Sequence, residues 1–248
     1  MSQVVLITGC STGIGRNLAQ RLAQAGYNVA ASARNLDALD DLPAALKLSL
    51  DVTQPDSINQ AVERAMQQFG RIDVLVNNAG YAVRGAVEEI SEEQAQGIFD
   101  ANVLGVMRMV RAVVPHMRRQ KAGRIINLSS IAGKLVTPGN GVYSSTKFAV
   151  EALSDALRWE LAPFGIQVVL VEPGPIRTHF GETVDKLSKE LYILRGGSNT
   201  LYELRRGENF VWPLRFTSVL ALHGANWKFQ HMQFSFPTMY FPDVRILD

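Results

Sequence analysis

Six short β-branched stretches recur along the first three quarters of this sequence, separated by longer helical patterns, and several are apolar on successive residues. They are Val4–Thr8, Asn28–Ala33, Leu46–Asp51, Ile72–Asn77, Gly123–Ser129 and Ile166–Glu172. A strand apolar on both faces needs cover on both, which is the condition of a parallel strand inside an α/β sheet. The intervening segments carry helical stripes. Ile14, Leu18 and Leu22 recur at four-residue spacing before Gly26, and Ile58, Val62, Met66 and Phe69 form a second stripe that ends at Gly70. Ser91 with Gln94 reads as a capping box opening a third helix with Ile98, Phe99 and Val103. The alternation predicts an α/β fold, a doubly wound parallel sheet flanked by helices. No repeat, low-complexity run or linker interrupts the 248 residues, which read as a single domain.

The first strand runs into Thr8-Gly9-Cys10-Ser11-Thr12-Gly13-Ile14-Gly15 and straight on into the first helix. Glycines there let the chain turn sharply, let backbone approach a pyrophosphate, and let helix pack on strand. The helix N-terminus behind the loop offers unpaired N–H groups and a positive dipole end to phosphates. A tight turn without a ligand is the plainer alternative; the position directly after the first strand points to a ligand.

Tyr143-Ser144-Ser145-Thr146-Lys147 places a phenol and an ammonium one helical turn apart on the same face. Ser130 lies at the end of a predicted strand ahead of this helix, and Asn102 lies in the helix that follows Asn77-Asn78-Ala79-Gly80. Taken singly, Ser130 could be a strand-end cap, Asn102 a helix-bending polar residue and Lys147 a solvated side chain.

The glycine spacing, Asp51-Val52, Asn77-Asn78-Ala79-Gly80, the Ser130, Tyr143 and Lys147 set and Pro173-Gly174 occur in the order and spacing of one family. The sequence resembles the short-chain dehydrogenase/reductases over about residues 3 to 180. The resemblance implies a Rossmann-like domain that binds a nicotinamide dinucleotide. Thr8, Gly9, Ser11, Thr12, Gly13, Ile14 and Gly15 would cradle its phosphates, and Asp51 and Val52 would meet the adenine. Asn78, Ala79 and Gly80 would line the site, and Pro173, Gly174, Ile176 and Thr178 would hold the nicotinamide amide. It also implies roles at the reacting centre: Tyr143 as acid/base, Lys147 tuning it and bridging to the cofactor ribose, Ser130 orienting the substrate oxygen. Asn102 would hold a water that links Lys147 to solvent.

Free tyrosine titrates near ~10, too high to exchange its proton readily at neutral pH. A neighbouring Lys147 ammonium is expected to lower that value, and Ser130 to stabilise charge developing on the substrate oxygen. At the end of the second strand, where NAD-binding relatives usually place an acid, stand Ala33 and Arg34. That pair favours NADP, with NAD possible, because a guanidinium pairs with a 2′-phosphate. A solvated Arg34, or one recruited by Asp37, is the alternative.

Composition sets the outer limits. The formal charge of +2 and the lack of a long basic run argue against nucleic acid. No stretch has the length of a membrane span, and no basic leader precedes Val4. Cys10 is the only cysteine, which excludes an internal disulfide and fits a cytoplasmic location, and the four histidines show no metal-ligand spacing. Beyond Phe180 the resemblance fades, so residues 181–248 are a divergent segment. Thr183–Glu208 looks like a polar helical pattern broken at Gly196-Gly197. Gln230–Pro242 resists a clean period, with Met239–Phe241 as one candidate strand. The segment could complete the sheet, cover the substrate as an apolar lid, or dock on another subunit. The stretch Glu172–Phe180 looks like the branch with hydroxysteroid and retinol dehydrogenases and bacterial aldehyde/ketone reductases, which implies an apolar ketone or aldehyde and its alcohol. A homodimer or homotetramer is implied in the same way, and apolar residues from Phe148 to Leu161 exceed one buried stripe. Two rivals are a non-catalytic NADP-binding sensor and an epimerase or dehydratase on the same fold.

Overall fold

The computed structural model describes residues 2–137 and 139–174, together with the backbone of 215–223 and 226–235. The chain divides into two compact units, Met1–Arg195 and Gly196–Asp248.

In the first unit six parallel strands form one sheet: β1 (Val4–Ile7), β2 (Asn28–Ala33), β3 (Leu46–Ser49), β4 (Val74–Asn77), β5 (Gly123–Leu128) and β6 (Ile166–Val171). Their spatial order is β3-β2-β1-β4-β5-β6. The chain winds outward from β1 to β3, returns to pair β4 with β1, and winds outward again. Connections therefore part company beyond the carboxyl ends of β1 and β4, and a crevice opens at that reversal.

The successive apolar residues do what the sequence predicts. Leu6, Ala30, Leu75 and Ile125 enter a core shared with the helices α2 (Pro55–Phe69), α4 (Gly105–Gln120) and α5 (Gly141–Leu161). Their chain neighbours Val5, Ile7, Val29, Ala31 and Val76 enter a second core with α1 (Gly13–Gln24). Gly26 and Gly70 adopt φ of 85° and 71° just past α1 and α2, the left-handed stops that glycine accepts without strain.

Some strands are shorter than expected. Ile72 is not in β4, because its N–H and C=O are taken by the Gln120 side-chain amide at 3.2 and 2.9 Å. β3 stops before Asp51, whose carboxylate accepts from the Thr53 N–H at 2.9 Å and the Thr53 hydroxyl at 2.8 Å and so closes a turn.

The Ser91–Gln94 capping box forms and opens α3 (Glu92–Phe99). The predicted single helix does not continue as one. Asp100–Leu104 forms a π turn, with the Gly105 N–H reaching back to the Asp100 carbonyl, before α4 begins. Gly105 packs closely there: a Cβ on it would lie 2.9 Å from Val52 Cγ2.

In the second unit β7 (Arg215–His223) and β8 (Asn226–Ser235) pair antiparallel, with a register shift between Val219 and Leu220. The sequence did not single these strands out. The expected helical pattern 183–208 and the candidate strand Met239–Phe241 lie outside the described residues, as do Ile176 and Thr178.

Candidate active site

The predicted loop between β1 and α1 is made of backbone held at close quarters. Gly9 and Gly13 have φ of 73° and 62°, a region costly for any residue with a side chain. A Cβ on Gly9 would fall 2.8 Å from Ala79 Cα, and one on Gly15 would fall 2.5 Å from the Gly9 carbonyl oxygen and collide with Asn78 Nδ2. Asn78 fastens the loop to the end of β4, its amide donating to the carbonyls of Thr8 at 2.8 Å and Gly9 at 3.0 Å. Buried Thr8 accepts at its hydroxyl from the N–H groups of Asn78 and Ala79, each at 3.0 Å. Thr12 stands at the N-cap of α1 without a side-chain cap bond, so its hydroxyl does not take up the first N–H groups of the helix. A glycine-lined turn that ends in uncapped helix N–H groups fits the diphosphate of a dinucleotide. Ile14 and Gly15 belong to the first turn of α1.

At the end of β2, Ala33 is buried and Arg34 is exposed. Among the described residues Asp37 does not recruit Arg34; the Asp37 N–H instead bonds the Asn35 side chain at 3.1 Å. The Arg34 charge acts on Tyr81, just beyond Gly80. Asp51 is committed to its own turn, and Val52 is buried against Gly105. Pro173 and Gly174 follow β6, with the Ile131 N–H donating to the Pro173 carbonyl at 3.0 Å.

The structure brings Ser130, Tyr143 and Lys147 together at the carboxyl end of β5. Ser130 follows β5, and its hydroxyl oxygen accepts from the Ala132 N–H at 3.1 Å. That hydroxyl also hydrogen-bonds the Tyr143 phenol. Lys147, one turn along α5, is buried, and its Nζ donates to the Leu128 carbonyl at 2.8 Å and lies 5.7 Å from the Tyr143 ring centroid. Buried amides aim the helix: Asn77 Nδ2 donates to Asn127 Oδ1 and Asn127 Nδ2 to Ser154 Oγ, both at 2.8 Å, tying β4, β5 and α5 together.

One expectation needs correction. Burial pushes the Tyr143 phenol above its ordinary value, and the opposing pull comes from the Ser130 hydrogen bond and the Arg84 charge. Burial also weakens the hold of Lys147 on its own proton, to about 8, and its ammonium donates to the Leu128 carbonyl. Asn102, placed by the π turn, is buried with its side-chain amide already engaged. Its Oδ1 accepts from the Tyr81 N–H at 3.0 Å, and its Nδ2 donates to the Tyr81 carbonyl at 2.8 Å and the Thr146 hydroxyl at 3.2 Å. Its side chain therefore braces the loop after β4 against α5.

Arg84 was missed from the sequence. It is the lone charged residue between Asp73 and Glu88, in a loop tethered to the start of α5 by the Gly85 N–H on the Gly139 carbonyl at 3.0 Å. An isolated cation in an apolar loop was the available signal.

Comparison with known proteins agrees with this geometry. The family model for short chain dehydrogenases matches residues 3–188, and the chain belongs to that family. It is 43% identical over 178 residues to the 3-ketodihydrosphingosine reductase of Bacteroides thetaiotaomicron, covering 72% of this chain and 65% of that protein. It is 41% identical over 195 residues to human 17-beta-hydroxysteroid dehydrogenase type 1, covering 73% of this chain and 59% of that one. The chain thus spans less than two thirds of either relative. The solved structure of ElxO with NADP bound superposes with a TM-score of 0.69 at 31% identity, over 75% of this chain and 79% of that chain. No described helix is long and apolar enough to cross a membrane.

Proposed function

We propose that this protein is an NADP-dependent oxidoreductase that interconverts an apolar ketone or aldehyde and its alcohol, with Tyr143 as acid/base. The observation that carries the reading is the convergence of Ser130, Tyr143 and Lys147 beside a cradle with the Gly9, Gly13 and Gly15 geometry.

The dinucleotide, when bound, supplies or accepts the hydride. The residues that would hold it are Thr8, Gly9, Ser11 to Gly15, Arg34, Asp51, Val52 and Asn78 to Gly80, with Pro173, Gly174, Ile176 and Thr178 as the family resemblance implies. Exposed Arg34 beside small Ala33 favours a 2′-phosphate, and a relative is solved with NADP. NAD is the second choice for the same cradle.

Tyr143 is protonated at neutral pH and gives that proton to a substrate carbonyl oxygen, which suits reduction. Burial works against the transfer by raising the phenol, and the Ser130 hydrogen bond and the Arg84 charge oppose that rise. Ser130, hydrogen-bonded to the phenol, would hold the same oxygen. Lys147 is the nearby cation that restores the proton, and Asn102 keeps the loop after β4 seated on α5. An apolar substrate agrees with a relative named for a sphingoid ketone and another named for a steroid alcohol. Residues 1–248 act as a single oxidoreductase domain in this reading. A cytoplasmic homodimer or homotetramer completes the proposal.

The test is NADPH consumption against a panel of apolar ketones and aldehydes, with Tyr143→Phe alongside. Turnover falling by about 10²–10⁴ in that variant, with NADPH binding kept, is the expected result. Undiminished turnover would remove Tyr143 from the chemistry, and NADPH binding with no turnover on any substrate would favour a sensing module.

A further inference from the structure

Tyr143, Lys147 and Glu151 follow one another at four-residue intervals along α5, so they share a face of the helix. The last two are charged and buried, at 8% and 7% exposure. Buried charges are retained only when compensated, and the Leu128 carbonyl bound by Lys147 is neutral. We propose that Glu151 is a positioning residue that keeps Lys147 an ammonium, and that Lys134 sets how much of the Glu151 charge Lys147 receives; the functional meaning rests on the role given to Lys147 above.

The arrangement is a line of alternating charge running from the interior to the surface. Glu151 Oε2 lies 2.6 Å from Lys134 Nζ, and the same ammonium lies 3.4 Å from Glu172 Oε1. Lys134 and Glu172 are partly exposed, so solvent screens the outer pair more than the inner one. The hydrogen bond to Glu151 holds Lys134 above the usual lysine value. Glu151 packs against the bare face of Gly133, where a Cβ would lie 3.1 Å from its Cγ and 2.7 Å from Ser129 Oγ. Neither carboxylate oxygen of Glu151 nor the Ser129 hydroxyl has a well-directed hydrogen bond among the described residues, and Oε2 is held by its ion pair with Lys134 alone. A carboxylate kept only for stability would be expected to satisfy both oxygens.

The charged and polar groups bearing on this line come from several elements. On α5 itself they are Tyr143 and Glu151, and from the end of β5 the Leu128 carbonyl. The turn after β5 adds Lys134, the end of β6 adds Glu172, and Arg84 and Ser130 act on Tyr143. Burial draws Lys147 down to about 8 and the Glu151 charge opposes that fall. Neutralising Glu151 leaves burial and the Lys134 cation, so Lys147 loses its proton at lower pH. Neutralising Lys134 exposes Lys147 to the full carboxylate, so it keeps its proton to higher pH.

The experiment is a pH titration of lysine side chains by NMR, with ¹³C at the ε carbons, on the full chain without added cofactor. Lys147→Arg identifies the signal. Glu151→Gln is expected to move the Lys147 midpoint down by about one unit and Lys134→Met to move it up by about half a unit. The alkaline limb of turnover should move in the same two directions. Midpoints that stay within about 0.2 units in both variants, or move together, overturn the proposal. Lys134→Met alters a half-exposed side chain, so its upward shift decides the matter even if Glu151→Gln fails to fold. The titration needs no substrate; retained turnover in Tyr143→Phe would sink the oxidoreductase reading and leave the titration result standing.

Discussion

The cofactor loop and the reacting centre sit at the same end of one sheet, yet they are built from different materials. The loop is backbone and the space its glycines leave: positive φ at Gly9 and Gly13, and no room for a Cβ at Gly15. The centre is side-chain charge withdrawn from water, with Lys147 and Glu151 buried on α5. A site of the first kind fails when volume is added. One of the second kind fails when charge is removed, even with every atom of the backbone in place.

The sharpest way to break the comparison is Lys147→Met. It removes a charge and keeps the volume, so turnover should fall by about 10²–10⁴. The melting temperature should be no lower than in the unmodified chain, because a buried ammonium with a depressed pKa costs stability. A calorimetric scan beside a rate assay reads both; a large loss of stability would mean that Lys147 is chiefly structural. Gly15→Ala is the opposite probe, adding one methyl where Asn78 and the Gly9 carbonyl already stand. About 1–3 kcal/mol of stability should be lost, with NADPH affinity down by roughly a hundredfold as the loop is pushed aside. Cofactor fluorescence titration would check it, and unchanged affinity would show that the cradle is not where the diphosphate binds. Arg34→Ala has the smallest effect and tests whether the loop region uses charge at all. NADPH binding should weaken by about tenfold or somewhat more and NADH binding should not, as for loss of one exposed charge-assisted contact. Equal losses for both cofactors would remove Arg34 from 2′-phosphate recognition.

The same contrast governs what could be read from the sequence. Turns and helices impose fixed spacings, so Gly9, Gly13 and Gly15 and the pair Tyr143 and Lys147 were legible, as were the six strands. Charges act across elements far apart in the chain. Nothing near Tyr143 in sequence points to Arg84, and nothing near Lys147 points to Lys134, which reaches Glu151 only because the turn after β5 folds onto α5. The π turn was hidden because one extra residue per turn barely alters an apolar stripe. In β8 the apolar residues Trp227 and Phe229, then Met232 and Phe234, change phase near Gln230. The register does the same, pairing Val219 with His231 but Leu220 with Phe229. Strict alternation is therefore absent from the sequence, though the strand is continuous.

The turn at Asp100–Leu104 behaves like a washer slipped between two lengths of screw thread. An α-helix advances its side chains about 100° per residue, so deleting one residue there would let α3 run smoothly into α4 and mend the hydrogen-bond ladder. Everything on the α4 side would then arrive turned by that angle relative to α3. Asn102 could no longer meet both the Tyr81 backbone and Thr146, and Gly105 could no longer offer its bare face to Val52. The more regular helix would be the worse machine part, because two separate mates fix the phase of this shaft.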